Sequence, residues 1–172
     1  MEYTAGMDLT LSRRGDYVVR AAIFLARHHD GNGSYAKIRE VSEAMELPRS
    51  YTPQLLGMLA KAGLAEAKAG RTGGYRLARP PSEVQMLEVI EAAEGHLSSR
   101  RCPLRGGPCH WDDVCAVHPT WVKVSEAIRA TLADTSLAEV AAVDERLVTG
   151  EPLVPAPASH RPRPSRTRTH TR

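Results

Sequence analysis

Four side chains that can bind a metal lie close together in one segment of the chain. Cys102, Cys109 and Cys115 are the three cysteines of the 172 residues, and His118 follows the last of them by three positions. Thiolates and imidazoles are the ligands of zinc and of iron–sulfur clusters. Because otherwise rare cysteines gather here in an odd number, the pattern favours a metal centre in a reduced compartment over a disulfide framework.

The spacing of these ligands leaves two kinds of metal open. A set of three cysteines and one histidine is an ordinary structural zinc site. The gaps of six and five residues between successive cysteines are longer than the two to four residues usual in zinc fingers. The sequence therefore favours an iron–sulfur cluster, with zinc as the alternative.

Helical periodicity indicates the elements that must position this segment. Apolar residues recur at helical spacing along six stretches, of which the fifth is the longest. The predicted helices are 12–28, a short one with Ile38, Val41 and Met45, 50–62, 82–95, one that starts near Pro119, and 136–148. Two short strands are predicted within 64–77, on either side of the glycine-rich stretch 70–74.

Two helices joined by a tight turn and followed by a basic hairpin indicate a winged helix-turn-helix. The predicted fold class is thus mainly α with a small β-wing. The fifth helix carries one apolar stripe with Trp121, Val124, Ile128 and Leu132, and it follows an already complete small domain. We expect that stripe to pair with a second copy of the chain, which makes the protein a homodimer.

The recognition helix of such a fold meets DNA with its first residues, because only that end projects past the phosphate backbone. Polar and basic side chains occupy these positions and could contact bases or phosphates: Arg49, Ser50, Tyr51, Thr52 and Gln54. The hairpin adds cations and glycines whose bare backbone can approach DNA closely: Lys68, Arg71, Gly73 and Gly74. The predicted partner is double-stranded DNA.

The distribution of charge along the chain agrees with DNA as the partner. Residues 1–80 carry a net charge of +4, residues 81–150 carry −5 and residues 151–172 carry +4. Attraction to a polyanion acts through a local face rather than through the total charge, so the first half is the candidate nucleic-acid face. The last stretch, rich in proline, arginine and threonine, has too few apolar residues to fold alone.

The predicted organisation has four parts: a lead over 1–10, a DNA-binding domain over 11–80, a linker helix with the cysteine loop and the dimerisation helix over 81–148, and a disordered basic tail over 149–172. The first residues lack the pattern of a signal peptide, and no apolar run is long enough to span a membrane. We therefore expect a cytoplasmic protein. No catalytic constellation is found, so an enzyme is not expected.

With these pieces assembled, the chain resembles the Rrf-type winged-helix transcriptional regulators, the family of the IscR-like and NsrR-like iron–sulfur regulators. The likeness runs from about Leu9 to Val148. It is carried by the three cysteines and by five short matches: 11–17 (LSRRGDY), 50–51 (SY), 54–55 (QL), 70–77 (GRTGGYRL) and 135–139 (TSLAE).

The resemblance implies a homodimer that binds a palindromic promoter site, with a cluster in the loop of each subunit. IscR-like members hold a [2Fe-2S] cluster on three cysteines and a histidine, which maps onto His118. NsrR-like members hold a [4Fe-4S] cluster with an aspartate of the partner's first helix, which maps onto Asp16. The segment from Cys115 to Trp121 is more similar to the first arrangement, so [2Fe-2S] with His118 is favoured and Asp16 is the alternative.

Two features depart from the family pattern. The first cysteine gap is six residues instead of five, which leaves room for a differently shaped loop. Pro53 stands where IscR has a glutamate that reads DNA, so the operator preference does not transfer.

The function expected from all of this is a transcriptional regulator, most simply a repressor, whose cluster senses redox state, nitric oxide or cluster supply. One rival keeps the winged helix and makes the loop a structural zinc site with no sensing role. A second rival is a redox protein that uses Cys102, Cys109 and Cys115 as a thiol or electron relay.

Overall fold

The computed structural model describes residues 10–29, 31, 33–96 and 115–150. Within these ranges lie six α-helices and a two-stranded antiparallel sheet. The helices are α1 (Arg13–Arg27), α2 (Ile38–Ala44), α3 (Thr52–Lys61), α4 (Met86–Glu94), α5 (His118–Asp134) and α6 (Leu137–Thr149), and the strands are β1 (Ala65–Lys68) and β2 (Gly74–Leu77). The predicted fold class is confirmed. Cys102 and Cys109 lie outside the described residues, as does the predicted tail beyond 150.

Helix α1 is the centre of the fold. Ser12 caps it by accepting a hydrogen bond from the amide N–H of Gly15, as the sequence predicts. Val18, Ala22 and Leu25 recur at helical spacing and are buried. Their face packs against α3, α4 and α6, so α1 fixes the positions of α3 and of the C-terminal helices at once.

The turn between α2 and α3 is closed without glycine. Glu46 adopts a left-handed conformation (φ 53°), and the N–H of Leu47 donates to the carbonyl of Ser42. This is the Schellman arrangement that ends many helices, in which the left-handed residue is usually glycine. The N–H groups of Tyr51 and Thr52 then donate to the carbonyl of Pro48, so α3 starts at Thr52, two residues after the predicted cap.

The wing is the hairpin β1–β2, in which Ala65 pairs with Leu77 and Lys68 with Gly74. Ala36 adds a short third pairing, since its N–H and carbonyl both bond to the backbone of Tyr75, at 2.8 and 2.9 Å. The sequence did not predict this bridge, because Ala36 follows a glycine- and serine-rich loop with no strand pattern. The bridge attaches the wing to the chain just before α2.

The fourth helix starts later than predicted. A 3-10 turn covers Pro81–Glu83, Val84 is extended, and α4 begins at Met86 rather than near Ser82. The cause is a tertiary contact: Leu137 N–H donates to the Val84 carbonyl, and Met86 N–H donates to the Thr135 carbonyl. These bonds attach the corner between α5 and α6 to the start of α4.

One hydrophobic core runs through the described residues. Val89 of α4 and Leu137 of α6 belong to the same buried cluster as the residues of α1 and α3. An ion pair of 3.0 Å between Arg27 and Asp144 also joins α1 to α6. The predicted boundary at residue 80 therefore falls inside a continuous core.

Helix α5 differs from the other helices. It has 17 residues, and none of them is buried in this chain. Val124 is 40% exposed, and Leu132 is the residue of the predicted stripe that packs against the core. Among the described helices, none combines the length and the apolar character that a membrane span requires.

Candidate functional site

The predicted DNA-reading residues take different positions at the start of α3. Arg49, Ser50 and Gln54 are exposed, and Tyr51 is half-buried. Thr52 is completely buried, and its hydroxyl donates to the Pro48 carbonyl at 3.0 Å. The sequence placed Thr52 among the contact residues, whereas the geometry gives it a part in closing the turn.

The Tyr51 side chain packs against α1. Its ring meets the ring of Tyr17 edge to face, with centroids 6.4 Å apart and planes at 68°. Such aromatic pairs contribute beyond the apolar area that they bury. The contact connects the second turn of α1 to the residue that precedes α3, the predicted recognition helix.

Glycines shape the tip of the wing. A Cβ on Gly73 would lie 1.9 Å from the Lys68 carbonyl oxygen, and a Cβ on Gly74 would lie 2.2 Å from that of Ala36. Gly74 also has a φ of 152°, which disfavours L side chains. Gly73 itself is buried, so the polar side chains that the tip presents to solvent are those of Lys68, Arg71 and Thr72.

A cation and an acid stabilise the base of the wing. Arg76 donates to Glu66 Oε2 from both Nε and Nη2, at 3.0 and 2.8 Å. This hydrogen bond raises the pKa of Arg76 above its ordinary value. The Arg76 guanidinium also lies 4.8 Å from the centroid of the Tyr35 ring, and Lys68 Nζ lies 5.5 Å from it. Sequence reasoning had not assigned a role to Tyr35 or Glu66.

Of the predicted metal ligands, Cys115 and His118 are described. The N–H of His118 donates to the Cys115 carbonyl at 3.1 Å, so the two residues close one hydrogen-bonded turn that leads into α5. Cys115 is half-buried and is a free thiol. Within the described ranges no cluster of three metal-binding side chains occurs, and Cys102 and Cys109 lie outside them.

The alternative ligand, Asp16, lies in the first turn of α1. Its Oδ1 accepts a hydrogen bond from Arg20 Nε at 3.0 Å, and both side chains are 45% exposed. An exposed pair one turn apart on a helix contributes little free energy. The carboxylate is therefore accessible and only weakly held.

Helix α4, which precedes the cysteine loop, is attached to both α5 and α1. Glu91 Oε1 accepts from Arg129 of α5 at 2.6 Å, and Glu91 Oε2 lies 3.2 Å from His96 Nδ1. Glu94, at the end of α4, accepts from the hydroxyl and the N–H of Ser12, at 2.5 and 3.2 Å. Ser12 was predicted as a cap, but no sequence signal could have paired it with a residue 82 positions away.

Helices α4 and α5 run antiparallel, because Met86 bonds to Thr135 at one end and Glu91 contacts Arg129 further along. The end of α4 thus lies level with about the middle of α5. At 1.5 Å per residue, the first turns of α5 extend about 12 Å beyond it. The turn with Cys115 and His118 is carried on this extension.

Known transcriptional regulators are similar to this chain in sequence. A family model described as Rrf2, iron-dependent transcriptional regulator, matches residues 11–143. The IscR regulator of Photorhabdus laumondii is 33% identical over 132 residues, which cover 77% of this chain and 79% of that protein. The IscR regulator of Escherichia coli is 30% identical over 77% of this chain and 80% of that protein.

Solved structures agree with this assignment. T. potens IscR has a TM-score of 0.64 and 28% identity, covering 82% of this chain and 92% of that chain. The oxidised form of Staphylococcus aureus CymR has a TM-score of 0.57 and 26% identity, covering 77% and 96%. The relatives are named as transcriptional regulators and not as enzymes, in line with the sequence prediction. From the family match and the shared fold together, this chain belongs to the Rrf2 family of transcriptional regulators.

Proposed function

We propose that this chain is a dimeric DNA-binding repressor whose affinity for a palindromic promoter site is set by an iron–sulfur cluster on Cys102, Cys109, Cys115 and His118. The cluster would respond to redox state, nitric oxide or cluster supply. The observation that carries the proposal is the hydrogen-bonded turn that joins Cys115 to His118 at the entry to α5, in a chain that also has a winged helix-turn-helix. The description of the matching family as iron-dependent supports it.

The DNA-binding part of the proposal uses the exposed residues of the recognition helix and the wing. Gln54 can bond an adenine edge in two places, Arg49 can reach a guanine or a phosphate, and Arg71 extends from the wing tip. Two such domains in a dimer read two half-sites one helical turn of DNA apart. The apolar and unburied stripe of α5 supplies a surface for that dimer.

The donor set of the described turn fits the cluster. A half-buried thiol and an imidazole at a helix start supply one soft and one borderline ligand, which suits [2Fe-2S] and also zinc. When bound, a cluster would supply a one-electron redox couple and ligands that can be lost or exchanged. His118 as the fourth ligand favours [2Fe-2S], and Asp16 of the partner subunit is the alternative.

A chain of contacts connects the end of α4, which precedes the cysteine loop, to the start of the recognition helix. Glu94 at the end of α4 bonds to Ser12, the cap of α1. One turn further, Tyr17 packs against Tyr51 at the start of the recognition helix. A change at the base of the loop would therefore alter the equilibrium between two orientations of α3, which is how a bound group shifts a population of conformations.

The test is anaerobic purification of the wild type and of the variants His118→Ala and Asp16→Ala. Iron, sulfide and zinc are quantified, and visible absorbance and electron paramagnetic resonance of the reduced protein are recorded. We expect stoichiometric iron and sulfide, with the spectrum changed by His118→Ala. His29→Ala and Asp134→Ala are matched controls, because both residues are exposed and lie away from the loop.

Each other result has a definite meaning. A spectrum changed by Asp16→Ala alone assigns the fourth ligand to Asp16 and favours [4Fe-4S]. Colourless protein with stoichiometric zinc refutes sensing by a cluster and supports the structural zinc site. Stoichiometric cluster in a protein that retains no promoter DNA supports the redox protein instead.

A second candidate, thiol sensing, is favoured by the likeness to CymR, which has been solved in an oxidised form. In this case Cys115 and a second cysteine would be oxidised to a disulfide, with two electrons and two protons passing to a peroxide that is reduced to water. Metal-free protein would then lose or gain DNA affinity with hydrogen peroxide and recover it with dithiothreitol. A cluster sensor that has lost its metal would not respond reversibly in this way.

A further inference from the structure

Lys37, just before α2, reaches across to the wing. Its Nζ donates a hydrogen bond to the carbonyl of Arg71 at 2.7 Å and a second one to the carbonyl of Gly73. Both carbonyls belong to the turn between β1 and β2. An ammonium group with three donors is suited to bind two backbone oxygens of one turn at once.

The wing needs such a support from outside. Its strands have four residues each, and an isolated two-stranded hairpin is at best marginally stable in water. The bridge between Ala36 and Tyr75 holds the start of β2. Lys37 is the next residue along the chain, and it holds the tip, so two adjacent residues attach the wing to α2 at two points.

The Lys37 ammonium group is therefore engaged in hydrogen bonds within the protein. The residue is half-buried, and its backbone N–H is fixed in turn by Glu40 Oε2 at 2.8 Å. By contrast, Arg71 is exposed, and its side chain has no ion pair within the described part of the chain. The Arg71 side chain is thus available for contact with DNA, while the Arg71 carbonyl is held by Lys37.

We propose that Lys37 is a positioning residue for DNA binding, which acts by holding the backbone of Arg71 and Gly73 so that the Arg71 side chain faces DNA. This inference rests on the proposed contact between the wing and DNA. It differs from a direct role, in which the Lys37 ammonium would itself contact a phosphate.

A double-mutant cycle separates the two roles. Lys37→Met, Arg71→Ala and the double variant are compared for binding to the duplex that the wild-type protein enriches from a randomised DNA pool. We expect Lys37→Met to weaken binding roughly five- to tenfold, the size expected for one charged contact. In the Arg71→Ala background the same change should have no further effect.

The salt dependence of binding is the readout that general destabilisation would not change. Each lost phosphate contact lowers the slope of log K against log salt by about one. Lys37→Met and Arg71→Ala should lower the slope equally, and the double variant should lower it no further. Lys37→Arg, which can still donate to both carbonyls, should retain wild-type affinity and covers the case in which Lys37→Met does not fold.

Lys123→Met is the matched control, because Lys123 is exposed on α5, away from the wing. Equal losses from Lys37→Met in both backgrounds would mean that Lys37 contacts DNA directly, and would overturn the proposal. So would wild-type affinity of Lys37→Met. If Arg71→Ala alone has no effect, the wing contact and the positioning role are both refuted, whereas the cluster proposal is untouched.

Discussion

The hydroxyl of Ser12 donates to Oε1 of Glu94 at 2.5 Å and accepts the N–H of Gly15 at 3.1 Å, so one side chain caps α1 and binds the end of α4. Gly15 lies directly beneath this contact. A Cβ at Gly15 would lie 2.2 Å from Glu94 Oε1. The bond between Ser12 and Glu94 thus requires glycine at position 15, inside a helix where alanine is otherwise preferred.

The first prediction concerns this close approach. Gly15→Ala should lower the free energy of unfolding by about 1 kcal/mol, because the new methyl group displaces Glu94 and the loss of the tie outweighs the helix propensity gained. In a Glu94→Ala background the cost should disappear. Urea unfolding measures both effects, with Glu83→Ala as an exposed control. An equal cost in both backgrounds would show that Glu94 is not the cause.

The second prediction concerns Glu46, whose φ of 53° is unfavourable for any residue with a side chain. Glu46→Gly should raise the free energy of unfolding by about 1 kcal/mol, because glycine adopts this conformation without strain. Glu43→Gly, inside α2, should lower it by a similar amount. Thermal unfolding tests the pair. If both variants lose stability, the strain at Glu46 is not significant.

The third prediction concerns pH and the cap of α6. The backbone N–H and the hydroxyl of Ser136 both donate to the Glu139 carboxylate. These bonds, the one from the backbone N–H most strongly, hold the pKa of that carboxyl below its ordinary value of 4.5. Folding therefore favours the ionised form of Glu139 over the protonated form. Its stabilisation is complete above pH 4.5 and is lost as the pH falls through the folded pKa.

Glu139→Gln should consequently unfold at a lower temperature than the wild type at neutral pH, and the two curves should converge in acid. Ser136→Ala should cost about 1 kcal/mol of stability. Unfolding midpoints between pH 3 and pH 7 would check both. A gap between wild type and Glu139→Gln that stays constant over this range would argue against the carboxylate.

The fourth prediction separates reading from packing in the recognition helix. Gln54→Ala should weaken binding to the preferred duplex by about 1–3 kcal/mol and relax the choice of base at one position, with little change in stability. Thr52→Val should lower the stability and leave the DNA affinity nearly unchanged, because the buried Thr52 hydroxyl donates to the Pro48 carbonyl. Band-shift titrations and thermal unfolding on both variants make the comparison. Loss of affinity in Thr52→Val without loss of stability would assign it to DNA instead.

The fifth prediction concerns the apolar face of α5. In the proposed dimer, Val124→Glu should weaken the association by more than about 2 kcal/mol, because a carboxylate would be buried at an apolar contact. Lys123→Glu, on the exposed neighbouring position, should leave the dimer intact. Light scattering coupled to size exclusion gives the mass directly. If both variants remain dimeric, the dimer interface lies elsewhere on the chain.

The sequence alone determined the parts of this protein that depend on neighbours along the chain. Helix α1 was predictable because a cap and an apolar period lie within a few residues of each other, and the wing was predictable from a glycine-rich turn between short strands. Cys115 and His118 could be named as ligand candidates because cysteine is rare and their spacing is short.

The tertiary structure decided what depends on residues far apart. Val84 is extended instead of helical because Leu137 bonds to it, and Ala36 pairs with β2 although nothing around it looks like a strand. Thr52 is buried, and Glu94 meets Ser12, only once α1, α3 and α4 are packed. A local pattern carries no information about a partner 82 positions away, so these contacts, and with them the attachment of the end of α4 to the cap of α1, required the fold.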